Sequence, residues 1–458
     1  MRLHSLELRQ IQLFKTIKID FASAQATQPI TVFLGEQQSG KTALLKHLFH
    51  GLSWFTARLK DIRSAGIVIS DADMRINAGQ ATMSITISHP AELGTVSNDQ
   101  HAAADAEQQC TWKIRKIKTT NSHIGVNRVE TADLDLLVPR YQKQLEQDPQ
   151  FALPCIAYYP TQRFVNEANL QAKNTSALSP VHQAYDLSPV HFTTFTKFFD
   201  WLREIYDLEN AQSAQLLREY FNPQTRFHTQ EQLDDVFSQL EQAHRLSAQR
   251  CMNSLRTAIQ HVLPDIQDIW IEFQPQLQLM VNYQGQAMPF MQLSLSYRTW
   301  LALVGDVVRR VCLLNPQSLY PCLETDGIVL IDDIDTQLDS KHRPYILPHL
   351  HKAFPLLQFI VSSSQHDILD ELDDVECYQL SEQHLIKPQL TAHQQQLDIL
   401  YQQLFSTHSP ETSPHESTSV ASISTSPLDD ILTLTEQLNE QERQLLLTHI
   451  QKQANHDL

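Results

Sequence analysis

Eight consecutive residues carry the densest chemistry in this chain: Gly35-Glu36-Gln37-Gln38-Ser39-Gly40-Lys41-Thr42. Two glycines with four residues between them, followed by a lysine and a hydroxyl residue, make the pattern that wraps backbone N–H groups around a triphosphate. The glycines let the main chain come close to the phosphates, Lys41 places a point charge on the outer ones, and the Thr42 hydroxyl reaches a magnesium ion. Glu36, Gln37, Gln38 and Ser39 supply the backbone of the cradle between the glycines. Only 10 of the 458 residues are glycine, so two in one loop are informative. A second group, Asp332-Asp333-Ile334-Asp335, follows the apolar run Ile328-Val329-Leu330-Ile331. There Asp332 is placed to hold the metal and Asp333 to activate a water, so the expected ligands are ATP and Mg2+.

Such groups act only if strands and helices aim them at one place. Ile30-Thr31-Val32-Phe33-Leu34 reads as a buried strand before the loop, and Ala43-Leu44-Leu45-Lys46-His47-Leu48-Phe49 has helical spacing after it. Gly327 to Ile331 reads as a second buried strand and Gln358-Phe359-Ile360-Val361 as a third, leading into Ser362-Ser363-Ser364-Gln365-His366. In a doubly wound sheet these strand ends share one rim, where ligands bind.

Composition narrows the class further. The 35 basic against 52 acidic side chains give a formal charge of -17, which excludes a surface that attracts nucleic acid all over. The six cysteines form no C-x-x-C pair, so neither a zinc cluster nor a disulfide framework is expected. No apolar run approaches the roughly 18 residues that would span a bilayer, and the chain reads as cytoplasmic.

These motifs, in this order and far apart, resemble the ABC-type ATPases of the SMC, RecF and overcoming-lysogenization-defect group. More closely, the chain is similar to bacterial AAA-labelled ATPases of anti-phage defence systems, the Septu kind among them. Leu6 through Phe21 resembles the family's opening hairpin, and Pro154 to Arg163 the strand leading to its Q-loop, with Gln162 as the expected nucleotide contact. Phe198 to Asn210 resembles its helical insert, and Gln292-Leu293-Ser294-Leu295-Ser296 stands where its signature lies. The fold implied is a P-loop NTPase of ABC/SMC-head type with an antiparallel β subdomain. The resemblance also implies a head-to-tail homodimer or higher oligomer, in which Ser294 and Ser296 of one subunit close over ATP on the other. Several positions depart from the family. Gln37-Gln38 replaces Asn-Gly, Ser296 the signature glycine and Asp333 the catalytic glutamate; Ser364 stands at the switch-histidine position with His366 two residues on, and Gln12 matches a nucleotide-contacting arginine. Groups that hold Mg-ATP are kept while those that time hydrolysis are altered, so slow turnover is expected, with Asp333 and His366 as the catalytic candidates.

Residues 1–405 are read as the ATPase domain, with a helical insertion over about 133–260, and 406–427, rich in Ser, Thr and Pro, as a disordered linker. Residues 428–458 follow as an amphipathic helix. Residues 68–90 and 108–118 alternate apolar and polar, as antiparallel strands do. Lys113, Arg115, Lys116 and Lys118 form a basic cluster that could touch a nucleic-acid backbone or be a solvated face. No nuclease, deaminase or protease constellation accompanies the ATPase core, so the expected role is a dimeric ATP switch controlling a separate effector, a nuclease being the candidate. A non-hydrolysing scaffold and a RecF-like DNA repair ATPase are the alternatives.

Overall fold

A five-residue apolar strand with no polar face must be covered on both sides, and Ile30–Leu34 is buried throughout. The computed structural model describes residues 1–21, 28–94, 96, 109–118, 125–148, 151–165, 170, 183–185, 192–193, 195–220, 248–372, 375–381 and 384–386. The linker and C-terminal helix expected over 406–458 lie outside these, as does the rest of a second unit that begins at Leu390.

Among the described residues the strands are, in chain order, β1 (Arg2–Ile11), β2 (Phe14–Asp20), β3 (Ile30–Leu34), β4 (Gln80–Ser88), β5 (Gln109–Ile117), β6 (Val126–Glu130), β7 (Cys155–Tyr159), β8 (Gln162–Arg163), β9 (Phe192–Thr193), β10 (Ile266–Glu272), β11 (Gln278–Tyr283), β12 (Gln286–Pro289), β13 (Gly327–Ile331), β14 (Leu357–Ser363), β15 (Glu376–Ser381) and β16 (His384–Ile386). The principal helices are α1 (Lys41–Lys60), α2 (Ala132–Gln147), α3 (Thr196–Tyr220), α4 (Ala248–Val262), α5 (Leu295–Leu314) and α6 (Ile346–Ala353).

The core sheet has the order β16-β15-β3-β14-β13-β7, parallel except for the β15–β16 hairpin. The expected doubly wound sheet is therefore present, and β14 lies between the strand of the phosphate loop and the strand of the acids. A second sheet, β2-β1-β4-β5-β6, is antiparallel, and β4 and β5 bury every other residue as their alternation predicts. The alternation seen over 68–79 does not become a strand; it forms turns and a single bridge from Met74 to Ile11. Strands β10, β11 and β12 form a third, three-stranded sheet that the sequence reading did not anticipate.

Helix α1 packs against β4 of the antiparallel sheet and against β7, β13 and β14 of the core sheet, which explains why 13 of its residues are buried. Helix α5 is buried along most of its length, including Trp300, Leu301, Leu303, Val304, Val307, Val308 and Val311. Burial of side chains this size is worth about 1.5–3 kcal/mol each. Charge is buried there too. Asp306 accepts from Arg309 at 2.8 Å, from Arg310 at 2.8 Å and from the Tyr159 hydroxyl at 2.9 Å, fastening β7 to α5. Burial alone would raise the Asp306 pKa, but the two guanidinium groups hold it below the ordinary carboxylate range.

Two expectations change. The helical insertion over 133–260 is interrupted by β7, a strand of the core sheet, so the helical parts are α2 on one side and α3 with α4 on the other. The basic cluster is not one patch. On β5 the two-residue alternation buries Lys116, at 5% exposure and 3.4 Å from Asp71, while Arg115 pairs with Glu130 at 3.2 Å on the other face. Lys113 lies opposite Glu130 in register, and Lys118 is exposed past the strand end. A phosphate backbone would meet Arg115 and Lys116 already paired with acids, with Lys118 the exposed cation of the four. Among the described residues no helix is long and apolar enough to cross a membrane.

Candidate nucleotide site

Because β3, β14 and β13 run parallel, their C-terminal ends fall on one rim. Leu34 pairs with Ser363 and Ile331 with Val361, which puts the loop from Gly35, Ser362 and Asp332 side by side. The loop turns through Gln38, with φ of 66°, and Gly40, with φ of 103°. The first is the left-handed region that side-chain-bearing residues seldom adopt, so a glutamine there carries backbone strain. Gly40 has a second reason to be glycine: a Cβ there would lie 2.8 Å from the Phe14 ring. Gly40→Ala is expected to displace the loop and weaken nucleotide binding at least about tenfold, as titration of a fluorescent ATP analogue would show. Unchanged affinity would mean that the cradle tolerates a β-carbon.

Lys41, 6% exposed, turns its ammonium back onto the loop and donates to the carbonyls of Gly35 at 2.6 Å and Glu36 at 3.0 Å. Thr42 is exposed on the first turn of α1, whose N-terminal end favours anions. The Ser39 hydroxyl is buried with no hydrogen-bond partner, a polar group inside the loop still to be satisfied. Glu36, Gln37 and Gln38 are exposed at the rim.

Asp332 is fully buried, and its carboxylate accepts from Ser362 Oγ at 2.7 Å and from Thr161 Oγ1 at 2.8 Å. The same Thr161 oxygen lies 2.9 Å from the Asp333 carboxylate. A hydroxyl has one proton, so it serves one of the two acids at a time. Asp333 has its pKa raised, first by burial and next by the charge of Asp332, which moves it toward the range of a working base. Its backbone is held at φ 44°.

Arg163 holds that turn. It is 1% exposed, and its guanidinium donates to the carbonyls of Pro160 at 3.0 Å, Asp332 at 2.5 Å and Asp333 at 3.0 Å. Burial lowers its pKa to about 10, with the nearby acids acting the other way, so it stays charged at neutral pH. The Arg163 carbonyl accepts from Gln337 Nε2 at 2.7 Å, and the Gln337 carbonyl accepts from the hydroxyl of Ser296. A continuous chain of bonds thus runs from the start of α5 to the acidic turn. Thr161, Arg163, Ser362 and Gln337 were not singled out in the sequence. The hydroxyl and cation beside Gln162 were the available signal, but their targets depend on the pairing of β7 with β13.

The remaining candidates fall outside this cluster. Gln162 is exposed on β8. Ser294 is exposed and caps α5, its Oγ accepting from the Tyr297 N–H at 3.4 Å. Ser296 directs its hydroxyl to its own chain. Ser364, at the switch position, donates to Asp335 at 2.8 Å, while His366 is exposed and makes no hydrogen bond to Asp333 among the described residues. The loop, the lysine, Thr42 and Asp332 present oxygen and cationic groups, the donor set that Mg-ATP takes.

Fold and site together are those of a P-loop nucleoside triphosphatase. The chain belongs to the AAA-domain family, which matches residues 5–267. It is 24% identical over 411 residues to the retron Ec83 probable ATPase of Escherichia coli, covering 81% of this chain and 70% of that one. It is 25% identical over 405 residues to the retron Vc95 probable ATPase of Vibrio cholerae serotype O1 biovar El Tor, covering 80% and 74%. Among solved structures, an SMC head bound to the C-terminal winged-helix domain of ScpA matches at TM-score 0.42 and 12% identity, covering 85% of this chain and 99% of that one. The SMC head domain of Thermotoga maritima matches at 0.39 and 11%, covering 85% and 100%.

Proposed function

We propose that this protein is an ATP-driven dimeric switch that controls a separate effector in bacterial anti-phage defence, working in the cytoplasm. Lys41 and the loop amides hold the triphosphate, Thr42 and Asp332 hold Mg2+, and Asp333 takes the proton of the attacking water. When bound, Mg2+ neutralises phosphate charge. The observation that carries the dimer is the signature segment. Ser294 stands exposed at the start of α5 between the exposed apolar residues Met291 (40%) and Leu295 (46%), so it is available to a nucleotide on a second copy. The retron ATPases among the relatives support the link to defence.

Turnover is slow in this reading. Asp333 is one methylene shorter than the family's glutamate, and a displaced base costs about 10²-fold or more in rate. The test measures mass by light scattering and phosphate release in parallel. A non-hydrolysable ATP analogue is expected to double the mass of the wild type and leave Lys41→Ala monomeric, with phosphate release by the wild type below roughly one per second. An unchanged mass with nucleotide bound would overturn the switch, and Lys41-dependent release at tens per second would overturn the slow turnover.

A further inference from the structure

A second polar cluster lies deeper along α1, outside the phosphate cradle. His47 and His50 are three residues apart on one helix face, and Asp73 reaches them from the segment before β4. One ring nitrogen from each histidine and one carboxylate oxygen of Asp73 all lie within 4.8 Å of one another.

The protonation pattern makes this arrangement unusual. His47 Nδ1 lies 2.7 Å from the Ala43 carbonyl, which can only accept, so Nδ1 carries the proton. In neutral imidazole that leaves Nε2 bare, and it faces Asp73 Oδ1 at 3.5 Å. Nε2 is buried with no hydrogen-bond partner, in a side chain of 0% exposure. His50 Nδ1 is also buried and unpartnered. A bare nitrogen 3.5 Å from a carboxylate oxygen repels it unless a cation lies between them.

A proton on His47 is one such cation, but a charged N–H···O bond settles near 2.7–2.9 Å. The separation fits a metal better, because bonds of about 2.0–2.1 Å at a tetrahedral centre place neighbouring ligand atoms roughly 3.3 Å apart. Asp73 is already oriented: Oδ2 accepts from the Ser70 N–H at 3.0 Å and hydroxyl at 2.6 Å, and Oδ1 accepts from Gln12 Nε2 at 3.1 Å. Partners of this kind fix the direction of metal ligands.

We propose that His47, His50 and Asp73 form a binding site for a divalent transition metal, zinc being the best fit, with a fourth position left for water or the Gln12 carboxamide. Imidazole with one carboxylate selects such an ion over magnesium, which prefers six oxygens. The site is distinct from the magnesium position at Thr42 and Asp332, and it joins α1 to the segment before β4 from inside.

The experiment uses the full chain, stripped with a chelator and titrated with Co2+ under excess Mg2+ so that the phosphate site stays filled. About one equivalent is expected to bind with the intense visible absorption of four-coordinate cobalt, and Zn2+ should displace it. His50→Gln removes no hydrogen bond and should fold as the wild type does, yet weaken binding at least about tenfold; Asp73→Asn should do the same. Thermal unfolding should move upward with stoichiometric Zn2+ in the wild type alone. Absence of a four-coordinate signal, or equal binding by wild type and His50→Gln, would overturn the assignment.

Discussion

Arg163→Ala is expected to abolish measurable ATP turnover and to lower stability by on the order of 3 kcal/mol. The guanidinium satisfies three carbonyls at once, those of Pro160, Asp332 and Asp333, at a position 1% exposed. Removing it leaves the Pro160 and Asp332 oxygens without that donor, leaves the Asp333 carbonyl only the Thr336 N–H at 3.0 Å, and loosens Asp333 from its left-handed backbone at φ 44°. The acid would then relax away from Thr161, and a base misplaced by even about 1 Å costs roughly 10²-fold. Arg163→Lys should rescue little, because one ammonium cannot reproduce the planar fork. Turnover of Arg163→Lys within about twofold of the wild type would show that charge alone is what the site needs.

Gly327→Ala should be more severe for folding. Gly327 opens β13 at φ 145°, and a Cβ there would lie 2.0 Å from the carbonyl oxygen and 2.5 Å from the nitrogen of Cys155, its register partner on β7. Backbone cannot swing aside as a side chain can, so the two strands must separate. The expected loss exceeds about 4 kcal/mol, a large part of ordinary domain stability. Gly79 supplies the control: nothing lies within 4 Å of its added Cβ, and Gly79→Ala should stay within about 0.5 kcal/mol of the wild type. Urea midpoints of the two variants check both statements, and coincident curves would refute the account of strand packing.

What the sequence disclosed was whatever chemistry depends on neighbours along the chain. The phosphate-loop pattern is such a case, since its glycine spacing, Lys41 and Thr42 lie within eight residues. Asp332 was legible because the apolar run before it must end at the sheet rim. Thr161 and Arg163 were not, because their roles arise only when β7 lies parallel to β13, with Tyr159 paired to Ile331 across a long separation. Lys116 shows the converse. A run of cations looks like one patch in the sequence, and the pleat divides it between two faces. Likewise, the spacing of His47 and His50 is visible, but Asp73 joins them only through the turn against Gln12, whose N–H donates to the Asp73 carbonyl at 2.7 Å.

The bonds from Ser296 through Gln337 to Arg163 tie the surface proposed to meet a second subunit to the acidic turn of the same subunit. In the proposed dimer, a neighbour pressing on the start of α5 would pull, through direct bonds rather than intervening solvent, on the backbone that holds Asp333. On that proposal docking and chemistry would share one lever, and a change that loosens Gln337 should uncouple them while leaving each half intact.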